Sequence, residues 1–352
     1  MEPVKIGIIG CGVIGTIHIR TACRIPLFEV VAVADIVEEK AKKIAEEYKI
    51  KKFYSSGEKL LKDPEIEGVI LAVTTNIRTD LALKAFKEGK NVLLEKPAGM
   101  NVEEIYKMIE ESKGLVAGSC SSRFRFLDHS IFVTEFLKNK PLGDLRVIRS
   151  KAIISPGHPP KQTPPLWRVS KSINGGGILV NWGVYDLDYL LGITNWTLKP
   201  KLVLGRTWEI PSQFSHYVAP GSDAEEHFAA FILFEGGTVM LFERGECVAS
   251  QTEEKWEITG EKGSLHLKMT VGENKKVIYD DASDSDKRVI SKIIWEGNED
   301  WEMIFERQLL NFAKAIRKEE ELKTDLNKAL IIQKITDGIY ISSEKGKAYE
   351  IN

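Results

Sequence analysis

The chain has 352 residues, 43% of them hydrophobic and 28% charged, which is enough for two domains with two buried cores and excludes fibrous, collagen-like and wholly disordered proteins. Lys and Arg number 49 against 51 Asp and Glu, so the net charge of −2 offers no positive field to hold nucleic acid or an anionic membrane. Four cysteines, Cys11, Cys23, Cys120 and Cys247, show no CxxC spacing and fit a reducing, cytoplasmic setting. The start, MEPVKIGIIGCGVIG, is Gly-punctuated and too short to span a bilayer, so it reads as neither signal peptide nor anchor.

Short β-branched runs then alternate with amphipathic stretches: Val4–Ile9 and a helix, Val30–Ala34 and Glu38–Tyr48, Gly68–Val73 and Thr79–Lys87, Val92–Glu95 and Val102–Ser112, then Leu115–Cys120. This βαβ alternation predicts a parallel sheet with helices on both faces, a turn at Asp63-Pro64 and a helix stop at Gly89. The pattern changes near Arg123, which divides the chain into an α/β domain over residues 1–122 and an α+β domain over 123–352. The second part predicts a helix over Leu127–Lys138, a strand over Leu145–Ile154 and a Pro-rich loop, PGHPPKQTPPLWR, that contains His158. Beyond Gly175–Gly177 a helical run leads into five strands, Lys201–Glu209, His227–Phe234, Thr238–Arg244, Lys255–Thr259 and Ser264–Met269, predicting a large, mostly antiparallel open sheet. His227–Phe234 is apolar on both faces while helices are few, so a subunit interface is expected on the bare face. DDASDSDK, over 280–287, reads as a solvated loop, and two helices and a short strand close the chain.

In KIGIIGCGVIG, Gly10, Gly12 and Gly15 have G-x-G-x-x-G spacing between a strand and a helix, with Cys11, Val13 and Ile14 between them. Such glycines permit a tight turn, close approach of a pyrophosphate and helix-to-strand contact, and the helix N-terminus faces the phosphates. Asp35 ends the second strand about 20 residues beyond Gly15, where a carboxylate accepts from ribose hydroxyls. Together these features predict an N-terminal Rossmann domain binding a dinucleotide. Asp35 would repel a 2′-phosphate and no Arg follows it in DIVEEK, so NAD is favoured over NADP. Thr74 and Asn76, after the Gly68–Val73 strand, are placed on the nicotinamide side. The six histidines form no ligand-spaced cluster, and no metal is expected.

Glu95-Lys96-Pro97 after a strand, the glycine fingerprint upstream and GGG-xxx-N-xxx-Y-xx-D downstream resemble the Gfo/Idh/MocA family of glucose-fructose oxidoreductase- and inositol dehydrogenase-like enzymes. Trp167-Arg168, EITGEKGSL and FERQLLNFAKAI extend the resemblance through almost the whole chain. It implies hydride exchange between NAD(H) and a carbinol or ketone of a sugar, cyclitol or related polyol, and a homodimer or homotetramer formed through the C-terminal sheet. It also implies a cis Lys96-Pro97 bond, Glu95, Lys96 and Arg168 at the cofactor, and Lys96, Arg123, Asn181 and Tyr185 at the substrate. The chain departs from the family pattern where Asn181 and Tyr185 replace its Asp and His, and where Thr75 and Thr79 replace its Pro and His.

Oxidising a carbinol requires a group that takes the hydroxyl proton. The Tyr185 phenol qualifies once cations stabilise its phenolate, because its unperturbed pKa of about 10 is too high for a neutral-pH base. The glucose-fructose oxidoreductase branch is similar in placing Tyr at this position. The reading therefore gives Tyr185 the proton, Lys96 the polarisation of the oxygen and Asn181 a substrate hydroxyl, with Lys96 as the alternative base. Asp188 is read as a site residue, as a residue that simply sits near its helix end, or as the partner of a cation, and Trp182, Tyr185 and Tyr189 also have the spacing of a packed helix face. Two other functions stay open: an NAD-binding sensor or scaffold without turnover, and glycoside cleavage with recycled NAD.

Overall fold

The computed structural model describes residues 2–162, 164–282 and 288–351. Its chain begins with β1 (Val4–Ile9), α1 (Val13–Ala22), β2 (Phe28–Ala34), α2 (Glu38–Tyr48), β3 (Lys52–Tyr54), α3 (Gly57–Leu61), β4 (Gly68–Leu71), α4 (Thr75–Lys87), β5 (Asn91–Leu94), α5 (Val102–Glu111) and β6 (Ala117–Ser119). The six strands form a wholly parallel sheet in the order β3-β2-β1-β4-β5-β6, with its reversal between β1 and β4. That is the doubly wound order whose ligands lie beyond the C-terminal strand ends. β1 and β4 are buried on both faces, as their apolar runs require. α2 carries Glu38 and Glu39 in its first turn, complementing its dipole. α4 stops at Gly89 in the left-handed region, φ +68°, as the sequence predicts. The three-residue β3 and the short α3 are too brief to leave a periodic signal.

The chain continues through α6 (Asp128–Lys138), β7 (Leu145–Ile154), α7 (Lys171–Asn174), a π-helical turn (Leu179–Gly183) and α8 (Val184–Ile193). It then adds β8 (Pro200–Trp208), β9 (His227–Phe234), β10 (Val239–Glu246), β11 (Glu253–Gly260), β12 (Gly263–Leu267), β13 (Gly272–Asp281) and β14 (Ile290–Glu299), and ends in α9 (Trp301–Ile316), α10 (Leu326–Lys345) and β15 (Tyr349–Glu350). β7 to β15 form one nine-stranded sheet ordered β14-β13-β12-β11-β7-β10-β9-β8-β15, antiparallel except for the β7–β10 pair. The sequence missed β13 and β14. Their charge-rich segments, GENKKVIYDD and ISKIIWEGNE, are weakly buried at the sheet's end, and charge is how an edge strand resists further pairing. Asp280 and Asp281 belong to β13 rather than to a loop, and 283–287 of that expected loop lie outside the described residues.

Packing divides the chain into two compact units, 1–123 with 301–330 and 124–300 with 331–352. α9, which the sequence division into 1–122 and 123–352 assigned to the second domain, packs with the first unit. Its Leu309, Phe312 and Ala313 join the β1 and α1 core that includes Ile6, Ile8 and Ile19. An amphipathic helix announces its apolar face in sequence but not the surface that covers it.

Candidate active site

In the first unit, β1 runs into a loop shaped by its own backbone. Gly10 has φ +101°, and a Cβ there would stand 2.4 Å from the Ala72 carbonyl oxygen. At Gly15 a Cβ would stand 1.8 Å from the Gly10 carbonyl oxygen, so α1 can approach β1 only without a side chain. Gly12 differs, because a Cβ there would meet no protein atom within 4 Å. It caps α1 with no side-chain bond, and no acidic residue stands in the first turn. The helix therefore offers its N-terminal N–H groups and positive dipole to an anion. Val13 is exposed beside Gly12.

Asp35 follows β2 and organises this loop. Its Oδ2 accepts the Cys11 N–H at 2.8 Å and its Oδ1 accepts the Val37 N–H at 2.9 Å. Cys11 is buried, and burial followed by the Asp35 charge pushes its thiol up to about 12, so it is no nucleophile here. Thr74 caps α4, and its hydroxyl donates to Asn76 Oδ1 at 2.8 Å. These groups form a rim at the C-terminal ends of β1, β2 and β4. The site fits a dinucleotide: glycine where a phosphate must approach, a bare helix N-terminus and a carboxylate at the second strand's end.

Beside it, β5 delivers Glu95, Lys96 and Pro97, and the Lys96-Pro97 bond is cis. Glu95 is buried. Its carboxylate accepts from His18 Nε2 at 2.6 Å, from Arg123 and from the Lys96 N–H at 3.1 Å. Burial alone would raise its pKa, but Arg123 and then His18 outweigh that and hold it well below the carboxylate range. Arg123 was expected at the substrate. The structure places it inside the first unit, 4% exposed, with Nε donating to Gln308 Oε1 at 3.2 Å and its guanidinium 4.4 Å from the Phe305 ring centroid. Among the described residues, His18, Glu95 and Cys120 bring possible metal-ligand atoms within 4.8 Å of one another. The Arg123 guanidinium already supplies the cation there, 3.2 Å from His18 Nε2.

In the second unit, Gly175 ends α7 at φ +87°, and the glycines after it are explained by close approach. A Cβ at Gly176 would stand 1.9 Å from the Tyr340 hydroxyl, and one at Gly177 would stand 1.8 Å from the Glu225 carbonyl oxygen. The buried Glu225 side chain accepts the Gly177 N–H at 3.0 Å, the Leu179 N–H at 3.0 Å and the Tyr340 hydroxyl at 2.8 Å. This clamp begins the π-helical turn that contains half-buried Asn181. π-turns within helices recur where a side chain must be redirected.

Tyr185 lies one turn further on, 6% exposed, edge-on to Phe124 at 5.1 Å and to Trp182 at 5.6 Å between centroids. Its neighbours on α8 are fixed by buried charges. Asp188 pairs with Arg125 at 2.6 Å, while Asp186 accepts from Arg244 Nε at 2.6 Å and Trp256 Nε1 at 2.7 Å. Asp188 is thus the partner of a cation, one of the readings its sequence position allowed. Arg168, expected at cofactor or substrate, pairs with Glu246 at 2.5 Å while remaining partly exposed. Sequence reasoning missed Glu225, Tyr340 and His18 as parts of these arrangements. The one local signal was a His on the buried face of α1.

Comparison with known proteins agrees with this geometry. Residues 4–116 match the Gfo/Idh/MocA oxidoreductase family's NAD-binding Rossmann fold, and residues 134–351 match that family's C-terminal alpha/beta domain. The chain is 30% identical over 193 residues to myo-inositol 2-dehydrogenase of Thermotoga maritima, covering 54% of this chain and 55% of that protein. It is 28% identical over 197 residues to trans-1,2-dihydrobenzene-1,2-diol dehydrogenase of Xenopus tropicalis, covering 54% and 57%. The chain therefore spans about half the length of these curated relatives. In fold it is similar to levoglucosan dehydrogenase, solved in complex with NADH, with TM-score 0.83, 18% identity and full coverage of both chains. Among the described residues, no helix is long and apolar enough to cross a membrane.

Proposed function

The chain belongs to the Gfo/Idh/MocA oxidoreductase family, and from that premise we propose that it transfers hydride between NAD(H) and a carbinol or ketone of a sugar, cyclitol or related polyol. The observation that carries the proposal is Lys96 at the end of β5, next in the sheet to the β4 end and in the same unit as the glycine loop and Asp35. NAD, when bound, supplies the hydride acceptor. Gly10, Gly12, Gly15 and the α1 N-terminus would hold its pyrophosphate, and Asp35 its adenosine ribose. The uncompensated charge of Asp35 favours NAD over NADP, since Ile36 and Val37, not a cation, follow it.

Tyr185 takes the substrate's hydroxyl proton in this reading, Lys96 polarises the oxygen and Asn181 holds a neighbouring hydroxyl. The test mixes the protein with NAD+ or NADP+ and a panel of aldoses, inositols, sugar acids and deoxy sugars, following nicotinamide absorbance. NADH should appear with one stereochemical class and faster than NADPH. Lys96→Ala should lower turnover by about a thousandfold or more, to a residual rate that can still be measured, while NAD+ still binds, and Tyr185→Phe should slow it by about two orders of magnitude. No reduction across the panel, with NAD+ binding confirmed by calorimetry, would overturn oxidation of these carbinols and leave a reductase of an untested ketone, recycled-NAD chemistry or a binder without turnover.

The open face of the nine-stranded sheet favours a second copy of the chain as its partner. Leu204, Phe231 and Leu241 stand on adjacent strands there, 49%, 38% and 44% exposed. Arg149, Lys151 and Glu243 border them with both signs of charge, so a self-complementary contact can pair opposite charges. A solution mass of one chain at micromolar concentration would refute this; two or four chains are expected.

A further inference from the structure

Arg78, on α4, is a charged residue that none of these roles uses. It is 3% exposed, and no carboxylate pairs with its guanidinium among the described residues. Nη2 donates to the Val73 carbonyl at 2.5 Å, Nη1 donates to the Pro97 carbonyl, and Nε has no partner. Burial pulls the guanidinium down to about 10, with Glu95 as the main opposing charge. A buried cation held by two neutral carbonyls and one orphan N–H contributes little to stability, and an apolar side chain of similar length would avoid its desolvation.

The positions of its two acceptors are informative. Val73 lies in the loop after β4, just before Thr74 and Asn76, and Pro97 lies in the loop after β5, just after Lys96. β4 and β5 are neighbours in the parallel sheet, so one rigid planar group ties the backbones of two adjacent loops at the strand ends. On the other side of Lys96, Glu95 is fixed by His18 and a second buried arginine, Arg123, and accepts the Lys96 N–H. The residue before Lys96 and the residue after it are therefore each held by a buried guanidinium.

We propose that Arg78 is a positioning residue for Lys96, fastening the Pro97 carbonyl to that of Val73 and so fixing the direction in which Lys96 leaves the end of β5. The proposal rests on the reading of Lys96 as a group that acts on the substrate oxygen. Arg78→Met removes both donors at nearly constant volume, whereas Arg78→Lys keeps the charge and reaches one carbonyl.

Two measurements test it. In a double-mutant cycle on the carbinol selected by the panel above, Arg78→Met should lower kcat by about ten- to a hundredfold, with KM for NAD+ within about twofold of wild type. Arg78→Lys should recover part of that loss. Added to Lys96→Ala, Arg78→Met should cost nothing more, because a residue acting through Lys96 has nothing left to position. A loss that adds in full would overturn the proposal. Full activity of Lys96→Ala alone would instead remove the reading beneath it.

The second measurement needs no substrate. In the NAD+ complex with reductively 13C-methylated lysines, the Lys96 methyl resonance should be single in the wild type and broadened or split in Arg78→Met. An unchanged resonance refutes the proposal whatever the turnover shows. If Arg78→Met fails to fold, Arg78→Lys carries both measurements, with a smaller effect expected in each.

Discussion

Each unit contains a run of glycines at its candidate site, and the two runs exist for different reasons. In the second unit, Gly175 answers to a left-handed backbone, Gly176 to the Tyr340 hydroxyl and Gly177 to the Glu225 carbonyl, so all three are explained within the protein itself. In the first unit, Gly10 and Gly15 are likewise explained by the Ala72 and Gly10 carbonyls, but Gly12 has open space where a Cβ would be. At the N-terminus of a helix without a side-chain cap, a glycine with open space leaves the backbone N–H groups accessible to an anion. Geometry therefore separates the glycines that packing requires from the one that packing leaves unexplained.

Paired alanine substitutions test that distinction directly. Gly177→Ala puts a methyl against the Glu225 backbone, which cannot rotate away, so a destabilisation on the order of 3 kcal/mol is expected in denaturant melts. Gly12→Ala should leave stability within about 1 kcal/mol of wild type, because its space is open and its φ of −78° suits alanine. The same variant should weaken NAD+ binding by about tenfold or more in calorimetry. Wild-type stability in Gly177→Ala would mean that the Glu225 clamp yields, and wild-type NAD+ affinity in Gly12→Ala would free Gly12 of any ligand role.

What the sequence disclosed follows the same division between local and distant causes. The G-x-G-x-x-G loop and Asp35 were legible because turn, helix start and strand end lie within one short segment. β7 and β9 were legible to the residue because turn residues bound them, Gly143-Asp144 and Ser155-Pro156 around β7 and Glu235-Gly236-Gly237 after β9. The Glu225 clamp was hidden because its donors at Gly177 and Leu179 are 48 and 46 residues away, and the Arg123–Gln308 bond joins residues 185 apart. Arg78 lay just ahead of the expected Thr79–Lys87 helix, and nothing in the local pattern says where a guanidinium will point. α9 was recognised as a helix, but for the same reason its pattern did not reveal that it packs on the β1 core. β13 and β14 were lost because the charges that protect a sheet's end also erase the alternation by which a strand is recognised.

The two units also contrast in how they keep a buried carboxyl, and this gives the smallest predicted effect. Glu95 would be raised by burial, but Arg123 and His18 hold it low, so its contribution is present above the ordinary carboxyl range and is lost only in strong acid. Glu226 is 5% exposed, and burial, reinforced by Glu246, pushes it up to about 8 against the weaker pull of Arg168. The folded chain then keeps a proton that the unfolded chain releases above its ordinary value of 4.5. Between those two values the native state binds more protons, so stability falls as pH rises. Glu226→Gln keeps the shape and removes the ionisation. Denaturant melts at about pH 5 and about pH 9 should therefore show the wild type losing more stability than the variant across that interval. Equal losses in the two proteins would assign the alkaline sensitivity of the second unit to another group.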